Sequence, residues 1–206
     1  MKSKIGISLR ITNAENYDEK RDSLSHDWII LLEKLDIIPV MIPNTISNID
    51  SFLDEMKISG IILSGGDNIG DDAIRDETEK KIINYTMSND LPLIGICRGM
   101  QVINKFFGGK IKNLENSKHV NSPHLVNINS NLSLDQKQFE VNSFHHNIIH
   151  SEDLGKDITS FALSVDDNTV EGLIHNNFSI YGVMWHPERN PDNNSVNLLK
   201  KIFNHI

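Results

Sequence analysis

Only one cysteine, Cys97, occurs among the 206 residues. A single thiol cannot close an internal disulfide, so a cross-linked scaffold is excluded and a reducing compartment is favoured. Long apolar runs are also missing. "WIILL" and "LDIIPVMIP" fall well short of the roughly 20 residues that span a bilayer, and "MKSKIGISLR" enters a strand-like segment without the apolar core of a signal peptide. The expectation is a cytoplasmic protein with no membrane contact. Positive charge is scarce: 20 Lys and Arg face 28 Asp and Glu, a net −8 that disfavours the broad basic surface required by nucleic-acid backbones. What remains, 38% hydrophobic and 23% charged residues, is the composition of an ordinary globular chain with enough apolar content for a core. Its length fits a single domain over residues 1–206, without repeats or linkers.

Short β-type runs alternate with amphipathic stretches in the first half. "IGISL" (5–9) reads as a strand, followed by a helix from about Arg21 to Leu35 with Leu24, Trp28, Leu31, Leu32 and Leu35 at helical spacing. "IIPVMI" (37–42), a helix bearing Ile46, Ile49, Leu53 and Met56, "GIIL" (60–63), a helix over about 72–87 and "PLIGI" (92–96) continue the alternation. This order predicts a parallel sheet with helices on both faces. The second half reads as mostly β, with "HLVNI", "FEVNSF", "ITSFALSV", "TVEGLIH" and "IYGVMWH" separated by turn residues. A last helix follows Pro191, with Val196, Leu199, Ile202, Phe203 and Ile206 as its apolar stripe.

A free cysteine is commonly a small buried hydrophobe, and the surroundings of Cys97 argue for more. "PLIGICRGMQ" places it where a buried strand turns into a helix on the carboxyl edge of the sheet, where open α/β folds bind their ligands. Gly95 and Gly99 permit a tight turn, Arg98 brings a cation, and a helix N-terminus favours a thiolate. A thiolate nucleophile needs a base, and the base an orienting group. "GVMWHPE" (182–188) supplies both at a strand end, with His186 and Glu188 two residues apart; the alternative is a plain polar strand end. "LSGGDN" (63–68) ends another strand, where Gly65 and Gly66, together with the N–H of Arg98, offer backbone donors to an oxyanion. His145 and His146 allow a metal pair or a surface pair on their own. No second cluster at ligand spacing accompanies them, so no metal is expected.

"LSGGDN", "GICRGMQ", "VNSFHH" and "GVMWHPE", in this order, resemble a class I glutamine amidotransferase domain of the γ-glutamyl hydrolase type, the relatives of γ-glutamyl-γ-aminobutyrate hydrolase. "RDETE" (75–79) and "GGKIKNL" (108–114) are smaller echoes of that family. The resemblance implies a flavodoxin-like α/β fold, a Cys97-His186-Glu188 triad, a small-molecule γ-glutamyl substrate and no cofactor. It further implies that Gln101, Asn142, Ser143 and His145 hold the glutamyl end group, although Asn147 stands where relatives often carry Gln. "CRG" and the His pair resemble stand-alone hydrolases more than ammonia-supplying subunits. Over its whole length the chain is similar to the branch that hydrolyses γ-glutamyl-CDP-amidate in capsule phosphoramidate biosynthesis. A pyrophosphate leaving group would require cations, and Arg10, Arg21 and Arg98 lie near predicted strand ends; the alternative for each is a solvated surface arginine.

Overall fold

The alternating pattern becomes real elements in a computed structural model that describes residues 2–113, 122–129, 136–189 and 191–203. In the first half these are β1 (Lys4–Ser8), β2 (Arg10–Asn13), β3 (Lys20–Ser23), α1 (His26–Lys34), β4 (Ile38–Ile42), α2 (Ile49–Met56), β5 (Gly60–Leu63), α3 (Ala73–Ser88), β6 (Leu93–Ile96) and α4 (Arg98–Phe106). There follow β7 (Lys112–Asn113), β8 (His124–Ile128), β9 (Gln138–Val141), β10 (Asn147–Ile148), β11 (Ile158–Ser164), β12 (Val170–His175), β13 (Ile180–Val183) and α5 (Asn193–Phe203).

Nine strands form one sheet in the order β4-β1-β5-β6-β13-β12-β11-β8-β9. The first five are parallel, and from β13 onward each pairing is antiparallel. This is the predicted class I amidotransferase architecture, with its β-rich second half. Neighbouring residues of one strand feed opposite faces. Ile62 and Ile94 enter a core with Trp28 and Leu31 of α1 and Leu199 of α5, whereas Ile61 and Leu93 enter a second core with Leu53 of α2, Ile82 of α3 and Ile103 of α4.

Two helix starts differ from expectation. Residues 20–23 form β3, which pairs with β2 in an antiparallel hairpin, and α1 begins at His26 behind the N-cap Ser25. Leu24 still packs against the core from outside the helix, so its helical spacing misled. Likewise Ile46 precedes α2, whose N-cap is Asn48. Leu114 of the "GGKIKNL" echo and Ile206 of the last stripe lie outside the described residues.

Candidate active site

Cys97 connects β6 to α4 with φ 49° and ψ −101°, a left-handed conformation costly for any residue with a Cβ. Its N–H donates to the Val183 carbonyl at 2.8 Å, and its own carbonyl accepts from Gln101 N–H at 3.2 Å. The turn closes only because two neighbours lack side chains. A Cβ on Gly95 would stand 2.3 Å from the Gly99 carbonyl carbon, and one on Gly99 would stand 2.3 Å from the Leu63 carbonyl oxygen.

His186 lies just past β13, which pairs directly with β6, so the two parallel strands bring residues 89 apart in sequence (186 − 97) to one sheet edge. Its Nδ1 is 2.7 Å from Glu188 Oε1, and its side chain lines the same cavity as Cys97. Burial drives the imidazole toward neutrality, but the neighbouring Cys97 and Glu188 side chains outweigh it and raise its pKa to about 9. A charged imidazolium therefore faces the sulfur near neutral pH. Gly65 makes room for the ring, since a Cβ there would come within 2.8 Å of His186 Cε1.

A buried charge network on α3 fixes both turns. Arg75 Nη2 donates to the carbonyls of Ser64 (2.9 Å) and Gly65 (3.0 Å), and its Nε reaches Glu79 Oε1 at 3.1 Å. Because a trans peptide is planar, holding the Gly65 carbonyl toward Arg75 directs the Gly66 N–H the opposite way. Glu79, fully buried, also accepts from Ser8 Oγ and from the Arg98 guanidinium, whose other nitrogen meets Asp76. The Arg98 side chain is thus not a free cation at the sulfur, as its position after Cys97 suggested; both of its terminal nitrogens are held by carboxylates. Its backbone N–H sits in the first turn of α4, where no helical carbonyl can accept it. The "RDETE" echo is this network.

A cavity of about 250 Å³ opens at Cys97, with Gln101, His145, Asn147, Arg10 and Arg189 among its walls. One wall is interlinked: Asn147 Nδ2 donates to Gln101 Oε1 (3.1 Å) and Asn68 Oδ1 (3.2 Å), and His145 Nδ1 lies 2.9 Å from the Asn147 carbonyl. A larger hollow of about 390 Å³ between α3 and α4 does not reach Cys97.

Several residues expected to touch substrate do something else. Asn142 is absent from the cavity walls; its Nδ2 donates to the carbonyls of His186 and Arg189, both at 2.8 Å, and its Oδ1 accepts from His186 N–H at 2.8 Å. It positions the histidine turn instead. Ser143 is buried and likewise not in the wall. Arg21 sits exposed on β3, bonded to Glu19 at 2.5 Å and to the Tyr17 hydroxyl, and does not line the cavity. Arg10 does, with its guanidinium lying on Gly66 (φ 107°), where a Cβ would come within 2.7 Å of it. Sequence reasoning missed Arg189, whose guanidinium carbon stands 4.5 Å above the Phe144 ring, and Phe144, which meets the His186 ring edge-on at 5.8 Å. The one available signal was the position of Arg189 directly after Glu188.

A strained cysteine at a strand-to-helix turn, faced by a His–carboxylate pair on this sheet, defines an amidotransferase-type site. The family profile described as "Glutamine amidotransferase class-I" matches residues 15–206, and the chain belongs to that family. Among its relatives, the γ-glutamyl-CDP-amidate hydrolase of Campylobacter jejuni is 34% identical over 209 residues, covering 98% of each chain. A glutamine-hydrolyzing GMP synthase subunit of Methanococcus aeolicus is 29% identical over 170 residues, 82% of this chain and 85% of its own. The crystal structure of a GMP synthase subunit protein from Thermoplasma acidophilum superposes with a TM-score of 0.76 at 23% identity, over 99% of this chain and 94% of its own, a likeness of fold alone.

Proposed function

We propose that the protein is a cysteine-dependent hydrolase of γ-glutamyl amide bonds, and that γ-glutamyl-CDP-amidate is its substrate. The observation carrying the first part is the strained Cys97 turn, which shares one cavity with His186, whose ring is held by Glu188 at 2.7 Å. In this reading Cys97 Sγ attacks the γ-carbonyl carbon, and the oxyanion is held by backbone N–H groups of Arg98 and the Gly65–Gly66 turn. His186, its Nδ1 fixed by Glu188, delivers a proton from Nε2 to the leaving nitrogen as the C–N bond breaks. Water then attacks the thioester, giving up a proton to His186, and glutamate leaves with the sulfur restored. Gln101 and His145 hold the glutamyl end group from the interlinked wall.

The nucleotide substrate is supported by the Campylobacter jejuni relative, whose similarity runs the length of both chains. Hydrolysis would release glutamate and cytidine diphosphoramidate, a phosphoramidate donor for capsule modification. A second reading, an ammonia-supplying glutaminase component of a synthase, is favoured by the similarity to the Methanococcus aeolicus protein. Glutamate release from γ-glutamyl-CDP-amidate, glutamine and γ-glutamyl-aminobutyrate separates the two. The proposal expects kcat/KM for the nucleotide compound at least ~100-fold above that for glutamine, about 2.7 kcal/mol of transition-state discrimination. Equal rates on all three compounds would sink the substrate assignment. Glutaminase activity that appears only with a partner synthase would favour the second reading.

A further inference from the structure

The chain has five arginines, and the structure divides them sharply. Arg75 and Arg98 are buried and neutralised by Glu79, with Asp76 on Arg98 as well, and Arg21 is bonded to Glu19. Arg10 and Arg189 have no carboxylate partner among the described residues, and both line the Cys97 cavity. In a chain of net charge −8, the two uncompensated guanidinium groups thus sit at one site. They also share a side of it. A small hollow bounded by Arg10, Gly65, His186, Glu188 and Arg189 places both beside the His–Glu pair, apart from the Gln101–Asn147–His145 wall. The leaving nitrogen must lie where His186 can protonate it, so the arginines flank the departing half of the substrate rather than its glutamyl half.

We propose that Arg10 and Arg189 form a two-guanidinium clamp for a phosphate-bearing leaving group and so set the specificity of the site. This rests on the γ-glutamyl hydrolase reading above and adds the residues that choose the leaving group. Guanidinium groups suit the task because their planar forks bind phosphate oxygens in pairs. Each fork is pre-placed without a salt bridge that substrate would have to break: Arg10 lies flat on Gly66, and Arg189 rests on the face of Phe144. The Arg189 backbone is anchored separately, through the Asn142 amide, so its side chain can be exchanged without releasing the turn.

The test is calorimetric titration of the full chain carrying Cys97→Ala, with CDP and separately with L-glutamate, so that binding is read without turnover. Adding Arg189→Met should weaken CDP at least about tenfold and leave L-glutamate within about twofold; Arg10→Gln should act alike, and Arg189→Lys should fall between. Thermal melts check that each variant is folded. Weakened L-glutamate with unchanged CDP would assign the arginine to the α-carboxylate and overturn the clamp. Unchanged binding of both ligands, or no CDP binding before the arginines are altered, would overturn it too. Arginine-dependent CDP binding in an enzyme that does not cleave γ-glutamyl-CDP-amidate would uphold the clamp and remove only the substrate reading.

Discussion

Cys97 occupies a backbone conformation that its own side chain disfavours, at a cost of about 1–3 kcal/mol. Glycine would relieve this strain. Cys97→Ala should fold and release no glutamate, and Cys97→Gly should resist denaturant at least as well as Cys97→Ala, although glycine usually costs ~0.5–1 kcal/mol at an ordinary position. A clearly less stable glycine variant would contradict the strain. His186 yields a pH prediction whose sign is fixed. Its folded pKa, about 9, lies above the ordinary 6.5, so the stabilisation of its cation is complete below 6.5 and is lost as pH rises through about 9. Turnover should fall over the same upper range as the proton for the leaving nitrogen disappears. Glu188→Gln removes a charge that raises the imidazole, so the falling limb should move to lower pH, kcat should drop and substrate affinity should be largely kept. A limb that stays in place would separate Glu188 from the histidine. Cys97, His186 and Glu188 were legible in the sequence because strand ends and i, i+2 spacing dictate where they project. Asn142 was misread because a motif names a residue without saying whether its amide faces ligand or backbone.

At the level of elements, α3 does more than cover the sheet. Its Arg75 and Glu79 bind the Ser64–Gly65 carbonyls, Ser8 and Arg98, coupling the ends of β1 and β5 to the start of α4. Glu79→Gln would leave two buried guanidinium groups short of their shared carboxylate. Destabilisation of about 3–5 kcal/mol is expected, with kcat reduced because both the Cys97 turn and the Gly65–Gly66 turn lose their tether. Chemical denaturation and steady-state kinetics check this; a stable, fully active variant would make the network decorative. None of it was visible as chemistry in "RDETE", since alternating charges on a helix ordinarily mark a solvated face. The parallel strands were legible because buried β-rich runs bounded by glycine and polar residues have few other solutions. The β2–β3 hairpin was not, because "RITN" and "KRDS" are partly or fully exposed and carry no apolar alternation, while Leu24 continued the phase of α1.

Across the whole molecule, the site joins two halves of different construction. The parallel half contributes Cys97 and the Gly65–Gly66 turn, and the segment after β9, up to the first residue of β10, contributes Phe144, His145 and Asn147. Glu171 on β12 ties that segment to the antiparallel strands. It is buried, with Oε2 3.5 Å from His124 Nε2 on β8 and Oε1 3.7 Å from His145 Nε2 at the cavity. Burial opposes a charge on His124, but the adjacent Glu171 carboxylate prevails and raises its pKa above 6.5. The sign follows as for His186: this stabilisation is complete below 6.5 and disappears as pH rises through the raised value. Glu171→Gln should therefore cost about 3 kcal/mol at pH 6, the scale of a broken buried pair, and progressively less as pH rises through the raised value and His124 loses its proton in the parent protein as well. Because His145 borders the cavity, the same substitution should raise KM for the γ-glutamyl substrate while His124→Gln, two strands away from β12, leaves KM nearer its parent value. Urea denaturation as a function of pH from 6 upward, paired with KM for both variants, checks the argument. A stability loss that stays constant from pH 6 through the alkaline range would show that Glu171 serves through packing alone and not through its charge.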